Sequence, residues 1–127
     1  MDNADVLRRF YAAWNDRDVD GVVAVFHEHA ELAPLLVPLV SSDLYHGRAG
    51  VGRWFGELLQ RFDEVRVDCE QIIETGDGAV GIIKVVARDG DGTEMEARLA
   101  NVCQMRDGLI VTFEGADADD TLEELEW

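Results

Sequence analysis

The spacing of apolar residues changes near Val65, and this change is the strongest constraint on the fold. Before it, apolar side chains recur every three or four residues, the period of one face of an α-helix. After it, apolar and polar side chains alternate, as on strands with one buried side, and glycine turns separate the alternating runs. In a chain of 127 residues this order predicts one α+β domain, residues 1–127, in which a bent sheet closes over helices around a pocket.

The first helix is predicted from a stripe of large apolar side chains. Val6, Phe10 and Trp14 lie four residues apart, and Leu7 and Tyr11 widen the stripe. One face of this helix is therefore apolar for three turns, and we expect the sheet to wrap around it.

Two further helices are predicted before the sheet. The second follows Asp18 or Asp20, either of which can accept hydrogen bonds from free backbone amides, and it buries Val22, Val23 and Phe26. The third follows two glycines and has the most regular helical pattern in the chain. Its apolar residues are Val51, Trp54, Phe55, Leu58, Leu59 and Phe62.

Extended segments account for most of the remaining chain. Residues 30–36 are expected to be extended, and four strands should follow the third helix. These strands are predicted at 65–75, 79–88, 94–105 and 109–114. Asp-Gly turns join them into an antiparallel meander. In the first strand, the alternation places Cys69 and Ile73 on the same side as Val65, and the acidic segment 117–126 is expected to form a short surface helix.

The charge of the chain argues against a nucleic-acid partner. Eleven basic and 27 acidic side chains give a net charge of −16, whereas binding to phosphate depends on clustered Lys and Arg. A solvated acidic surface is the favoured explanation, and a basic protein partner or a high-salt habitat is the alternative.

Neither an export signal nor a membrane segment is expected. The longest apolar run, 32–40, contains two prolines and is too short to cross a bilayer. Because the N-terminus is acidic, we expect a cytoplasmic protein that does not bind membranes. Cys69 and Cys103 are then expected to be buried, reduced thiols rather than a disulfide or a metal pair.

No cofactor and no metal ion are predicted. The chain has neither a phosphate-binding glycine loop nor a dinucleotide fingerprint. His27 and His29, with Glu28 and Glu31, form the most metal-like cluster, but side chains two residues apart at a helix end diverge. This cluster is therefore interpreted as a helix terminus.

Three segments resemble the NTF2-like superfamily, and within it the SnoaL-like group. They are FYAAWNDRDVDGVVAVFHEHAEL at 10–32, LYHGRAGVGRWFGELLQRF at 44–62 and VCQMRDGLIVTFEG at 102–115. The resemblance implies a cystatin-like or NTF2-like cone, in which three N-terminal helices pack in the concave face of a strongly curved, mixed but mainly antiparallel sheet around a ligand cavity. It also implies a homodimer formed through the outer sheet face. Because such proteins include both enzymes and non-catalytic members, the pocket residues must decide the function.

Steroid-type isomerisation is not expected from these residues. The ketosteroid isomerases of the superfamily hold an oxyanion with a phenol and a carboxylic acid, while an aspartate moves the proton. Alignment, to within one residue, places the phenol on Phe10, the acid near Ala100, and the base near Ala33 or Pro34. None of these residues carries the required group.

Two other chemistries of the superfamily are matched only in part. Its epoxide hydrolases use an Asp-Arg-Asp set, for which Arg98 matches the arginine, Ala100 replaces one aspartate, and Asp117 or Asp119 is nearest to the other. Its SnoaL-type cyclases use a late histidine with an aspartate. No histidine follows His46, so only an aspartate such as Asp117 remains.

Four residues are predicted to contact a ligand. Arg98, which the resemblance directs into the cone, could bind a carboxylate or enolate oxygen, or pair with a neighbouring glutamate. Trp14 and Trp54 could stack on a planar ligand, or belong to the plain core. Tyr45, beside His46, could supply a hydroxyl donor at the pocket entrance, or simply anchor a loop there.

Three hypotheses for the function follow. The first is a SnoaL-like protein that binds a small apolar or aromatic molecule in the cone and performs no identifiable chemistry. The second is an acid–base enzyme of the polyketide cyclase, isomerase or epoxide hydrolase type, in which Arg98 stabilises an oxyanion and Asp43, Asp117 or His46 moves a proton. The third is a non-catalytic, dimeric interaction module.

Overall fold

The computed structural model describes residues 2–33 and 44–125, which form helices on both sides of a set of strands. The helices are α1 (Asn3–Asn15), α2 (Val19–Ala24), α3 (Gly47–Arg61) and α4 (Ala118–Leu125). The strands are β1 (Phe26–Ala33), β2 (Tyr45–His46), β3 (Glu64–Glu74), β4 (Gly78–Arg88), β5 (Glu94–Arg106) and β6 (Leu109–Asp117). Within the described ranges, no helix is long and apolar enough to cross a membrane.

The strands form one six-stranded sheet in the order β2-β1-β6-β5-β4-β3. Neighbouring strands are antiparallel, except that β1 runs parallel to β6. The N-terminal helices lie against this sheet, with α1 on β3 and β4 and α3 on β1. These observations confirm the predicted fold class, an α+β domain with N-terminal helices and a mixed, mainly antiparallel sheet.

The end of α1 is fixed to the free edge of β3. Asn15 donates from Nδ2 to the carbonyl of Val67 at 2.8 Å and accepts at Oδ1 from the amide of the same residue at 2.9 Å. One residue earlier, Trp14 Nε1 donates to the carbonyl of Val65 at 3.1 Å. These bonds satisfy backbone groups that an edge strand would otherwise leave unpaired, and they set the position of α1 over the sheet.

The second helix is capped as predicted but ends earlier than expected. The Asp18 carboxylate accepts from the Gly21 amide at 3.0 Å, and the helix ends at Ala24. The prediction that Phe26 belongs to this helix is wrong, because Phe26 begins β1 beside Ile110 of β6. A parallel partner 84 positions away in the chain (110 − 26) outweighs the local helical spacing.

A bulge in β3 changes which side chains face the core. The pairing with β4 shifts between Cys69 and Gln71, so that the alternation restarts one residue later. As a result Ile72 packs against the core in place of the expected Ile73. Cys69 lies just before this shift and is exposed, so its predicted burial is wrong, whereas Cys103 is buried and free as predicted.

The C-terminal helix covers part of the outer sheet face, which is the face opposite α1. Ala118 of α4 and partly buried Leu122 pack on Val80, Ile82 and Ala100, which form an apolar cluster separate from the main core. The acidic segment is therefore a short helix, as predicted, and it lies on the face through which a dimer was expected to form.

Candidate functional site

A small cavity lies between α1, α3 and the inner sheet face. Its volume is about 20 Å³, and roughly 10–15 Å³ is enough for one water-sized group. Five aromatic side chains line it together with aliphatic residues and one amide. The lining residues are Phe10, Tyr11, Trp14, Trp54, Val67, Ile83, Val85, Leu99, Asn101 and Phe113.

The periods of the helices and strands bring these residues together. Phe10 and Trp14 are one helical turn apart on the buried face of α1, and Tyr11 lies beside them. On β5, the two-residue period turns Leu99 and Asn101 to the same side. The result is one internal surface built from helices and strands, which are more rigid supports than loops.

Aromatic rings in mutual contact form most of the lining. The ring centroids of Trp14 and Trp54 are 5.4 Å apart, and those of Trp54 and Phe113 are 5.8 Å apart. Phe10 contacts Phe113 at 5.4 Å with the ring planes at 66°. These tilted arrangements are the preferred geometry of aromatic pairs, and they hold the rings in defined positions.

A tyrosine and an asparagine supply the main polar feature of the cavity. The Tyr11 hydroxyl donates to Asn101 Oδ1 at 2.8 Å, and both residues are buried. Burial raises the pKa of Tyr11 well above its ordinary value, so the phenol stays protonated at physiological pH. The pair can therefore make hydrogen bonds to a ligand, but neither group is a base at neutral pH.

The two cavity tryptophans differ in their hydrogen bonding. Trp14 Nε1 is satisfied by the carbonyl of Val65. Trp54 is 1% exposed, and its Nε1 is buried with no hydrogen-bond partner among the described residues. A buried donor without a partner costs about 1–3 kcal/mol. Trp54 thus places an unused N–H group in the interior.

Tyr11 is the one titratable side chain in the described lining of the cavity, and it stays protonated at neutral pH. No Asp, Glu, His, Lys or Arg from residues 2–33 or 44–125 lines it. Cys103 lies in the adjacent core, and burial raises the pKa of its thiol, so it is uncharged at neutral pH. A proton-transfer mechanism therefore has no catalytic base on this part of the surface.

The expectation that Arg98 points into the cone is wrong. Arg98 lies on the outer face of β5, where it bonds to Glu70 Oε1 at 3.0 Å and to Asp119 Oδ1 at 2.9 Å. Hydrogen bonds to Glu70 and then Asp119 raise its pKa. The alternation along the strand was correct, but the inward face is the one with Leu99 and Asn101.

Two of the other proposed proton carriers, Asp117 and His46, also lie outside the cavity lining. Asp117 is exposed, and its carboxylate caps α4 by accepting from the amide of Asp120 at 3.0 Å. His46 pairs with Glu31 across β2 and β1 and lines an external groove of about 240 Å³. Asp43 lies outside the described residues, as does Pro34 of the isomerase alignment.

Of the four predicted ligand contacts, only Trp14 and Trp54 line the cavity. Tyr45 is buried beside α3, where its hydroxyl donates to Glu57 at 3.1 Å and the Arg53 guanidinium lies 5.1 Å from the centre of its ring. Its ring therefore belongs to a cluster on α3 and β2 rather than to the cavity.

Sequence reasoning missed Tyr11 and Asn101, each by a single position. The isomerase alignment placed the phenol on Phe10 and the acid near Ala100, and the groups that meet in the cavity come from the next residues. The alternation on β5 already grouped Asn101 with Leu99 and Cys103. A polar side chain within an otherwise apolar face was the signal that could have identified it.

Metal binding is not supported by any cluster in the described part of the chain. Residues 2–33 and 44–125 contain no group of three or more His, Cys, Asp or Glu side chains placed to hold an ion. His27 and His29 have ring centroids 5.5 Å apart, but they lack a further ligand among these residues.

Solved structures with the same fold resemble this chain over nearly its full length. TerC, crystallised with polyporic acid, has a TM-score of 0.81 at 22% identity, with 97% of this chain and 96% of TerC covered. An NTF2-like protein of unknown function from Burkholderia pseudomallei has a TM-score of 0.82 at 22% identity, with 97% of each chain covered. RV0760c from Mycobacterium tuberculosis, in complex with estradiol-17beta-hemisuccinate, has a TM-score of 0.77 at 17% identity, covering 89% of this chain and 91% of RV0760c.

Sequence comparison identifies the family. No curated protein matches the chain significantly. The model of the SnoaL-like domain matches residues 7–113, which include every residue that lines the cavity. This match covers most of the 127 residues, and the chain therefore belongs to the family of SnoaL-like domains.

Proposed function

We propose that this protein binds a small, mainly apolar molecule between α1, α3 and the sheet, and that it does so without catalysing a reaction. The observation that carries this proposal is the combination of an aromatic cavity with unused hydrogen-bonding capacity, because Trp54, whose Nε1 has no partner among the described residues, lines the same cavity as the Tyr11–Asn101 pair. Apolar walls with a few placed polar groups are typical of sites for small molecules.

The lining favours an uncharged ligand. Transfer of a charge from water to an interior without a compensating charge is costly, and the described lining offers none. Aromatic rings such as Trp14, Trp54 and Phe113 favour a ligand with flat or cyclic apolar parts. A ligand with cyclic apolar parts is seen in one neighbour of the same fold, RV0760c with estradiol-17beta-hemisuccinate.

The volume of the cavity sets a condition on binding. Sites for drug-sized ligands are usually about 300–1,000 Å³, whereas this cavity is about 20 Å³. A ligand with a ring must therefore displace lining side chains. We propose that Trp54 and Phe113 move, because each is held in the lining by ring contacts and not by a hydrogen bond to the backbone.

A cavity-filling variant provides the test. Val85→Ile adds one methylene to the cavity wall, whereas Val86→Ile adds the same group on the opposite face of β4. A panel of uncharged cyclic ketones, quinones and phenols is screened by thermal shift and tryptophan fluorescence. We expect a compound that stabilises the native protein and the Val86→Ile variant but not the Val85→Ile variant. Equal stabilisation of all three would place binding elsewhere and contradict the proposal.

The small cavity also favours a second candidate, a non-catalytic interaction module that forms a homodimer. In this case the interior is simply a core, and the outer sheet face beside α4, with its Lys84–Glu96 and Arg98–Asp119 ion pairs, is the contact surface. Sedimentation velocity at several concentrations tests this candidate. A dimer that binds no compound of the panel would favour the interaction module, and a strict monomer would exclude the homodimer.

A further inference from the structure

We infer that Trp54 selects the ligand: its Nε1–H donates a hydrogen bond to an uncharged acceptor oxygen, a carbonyl or an ether, of the bound molecule. This inference rests on the proposed function and adds to it the chemical class of the ligand. It assigns the specificity of the site to a residue of α3, whose neighbours in the cavity come from α1 and the sheet.

The hydrogen bonding of Trp54 is the first line of support. The residue is 1% exposed, and its Nε1 has no partner in residues 2–33 or 44–125. It is the one buried side-chain nitrogen or oxygen in those ranges that lacks a partner. Since an unmatched buried donor is destabilising, a group that accepts from it gains more than the same hydrogen bond would on the surface.

Trp54 lies among the aromatic rings of the cavity. Its ring lies 5.4 Å from the ring of Trp14 and 5.8 Å from that of Phe113, measured between centroids. Asn101 lines the same cavity; its Oδ1 accepts from Tyr11, and its side-chain Nδ2 carries two amide donors. Trp54 and Asn101 thus both bring N–H donors to the lining, and Trp54 Nε1 has no partner among the described residues, so the ligand atom that complements it is an acceptor.

The small volume of the cavity and the lack of a cationic side chain in its described lining favour a neutral oxygen as the acceptor atom of the ligand. A carboxylate would enter a site without a described cationic side chain and would pay its full desolvation cost. A volume of about 20 Å³ is enough for one oxygen-sized group without movement of the lining. The carbonyl end of a ligand fits these limits, while its apolar remainder displaces side chains.

The test compares isosteric ligands on the native protein. Cyclohexanone and methylenecyclohexane have the same shape, but only the ketone carries an acceptor, and cyclohexanecarboxylate supplies the charged case. The indole ¹H–¹⁵N resonances, assigned through NOEs to neighbouring rings, are followed by NMR during titration. We expect cyclohexanone to shift the Trp54 indole proton downfield with saturation, while the Trp14 indole proton, already bonded to Val65, moves little.

Affinity provides the second readout. One net hydrogen bond corresponds to roughly a tenfold difference in Kd. Methylenecyclohexane should therefore bind about ten times more weakly than cyclohexanone. In Trp54→Phe the two affinities should become equal. Because the NMR comparison uses the native chain, it stands even if this variant does not fold.

The remaining outcomes separate this inference from the proposed function. If the ketone and the hydrocarbon bind equally to the native protein and the Trp54 resonance does not move, the role of Trp54 is wrong while the binding function stands. Preferential binding of cyclohexanecarboxylate would overturn the neutral-acceptor assignment. If no cyclic compound binds at all, the proposed function fails, and the inference fails with it.

Discussion

Gly81 of β4 lies directly against the hydroxyl of Tyr11 on α1, so closely that a Cβ at position 81 would overlap with it. The glycine thus makes room for the phenol to reach Asn101 on the neighbouring strand. Gly81→Ala should force the Tyr11 ring to shift and should lower the free energy of unfolding by about 1–3 kcal/mol, the usual cost of overpacking. Urea denaturation followed by fluorescence measures this change.

A helical glycine and a double variant serve as controls for Gly81→Ala. Around Gly56 of α3 a Cβ would meet no atom within 4 Å, so Gly56→Ala should stabilise the protein by about 0.5–1 kcal/mol. Combining Gly81→Ala with Tyr11→Phe removes the overlapping hydroxyl and should recover part of the loss. If Gly81→Ala behaves like Gly56→Ala, the close approach of Gly81 and Tyr11 is not present in solution.

The two cavity tryptophans should respond differently to the same substitution. Trp14→Phe removes the donor to the Val65 carbonyl, whereas Trp54→Phe removes a donor that has no described partner. The loss of ring volume is the same in both, so Trp14→Phe should be more destabilising by about 1–2 kcal/mol. Chemical denaturation of the two variants provides the comparison, and equal losses would mean that Trp54 Nε1 is hydrogen-bonded in solution.

Alkaline pH should destabilise the fold through two buried groups. Burial raises the pKa of Cys103 from 9.0 and that of Tyr11 from 10.0. The unfolded chain therefore loses these protons first as the pH rises, so the unfolded state binds fewer protons and the free energy of unfolding decreases with pH. The slope is up to about 1.4 kcal/mol per pH unit for each group, and it begins near pH 9 for Cys103 and near pH 10 for Tyr11.

Variants assign the alkaline loss to the two groups. In Cys103→Ala the part of the slope that begins near pH 9 should disappear, and in Tyr11→Phe the part that begins near pH 10 should disappear. Stability is measured by urea denaturation between pH 7 and pH 11. A native protein whose stability is constant across this range would show that both groups ionise freely in the fold.

The two thiols should differ in reactivity. Cys69 is exposed at the β3 bulge, whereas Cys103 is buried and free. A thiol reagent such as DTNB should modify Cys69 of the native protein and should reach Cys103 only when the chain unfolds. The reaction at Cys69 should be slower than that of a free thiol at the same pH, because desolvation raises its pKa. Cys69→Ser should abolish the fast phase, and a fast phase that survives would place Cys103 at the surface.

The elements of the fold could be predicted because they depend on local periodicity. The stripe of Phe10 and Trp14 predicted α1, and the alternation on β5 correctly separated Arg98 and Ala100 from Leu99 and Asn101. Local periodicity does not, however, identify the strand with which a given strand pairs. Phe26 was assigned to a helix because its pairing with β6 depends on residues far along the chain.

The site was harder to predict because both faces of β5 contain apolar residues. Ala100 packs under α4 on the outer face, while Leu99 and Asn101 line the cavity on the inner face. Which face turns inward depends on where α1 and α4 pack, and this is a property of the tertiary structure. Arg98 was predicted as a ligand contact because the wrong face of β5 was turned toward the cavity. With the other face turned inward, Asn101 lies beside Tyr11.

Arg98 should matter for the attachment of α4 and not for the cavity. It joins Glu70 of β3 to Asp119 of α4 across the outer face, and the three residues are exposed. Arg98→Gln should accelerate amide hydrogen exchange in α4 and leave the binding of cyclohexanone unchanged, because no atom of Arg98 lines the cavity. Added salt should accelerate exchange in the native protein in the same direction, since exposed ion pairs are screened.

The matched control for Arg98→Gln is Arg88→Gln. Arg88 lies on the neighbouring strand and pairs with Glu64 at 2.9 Å, but it makes no ion pair with α4. Its substitution removes one charge of the same sign and should leave exchange in α4 unchanged. If Arg98→Gln instead weakened ligand binding more than Arg88→Gln did, the outward orientation of Arg98 would be wrong. The guanidinium would then face the cavity.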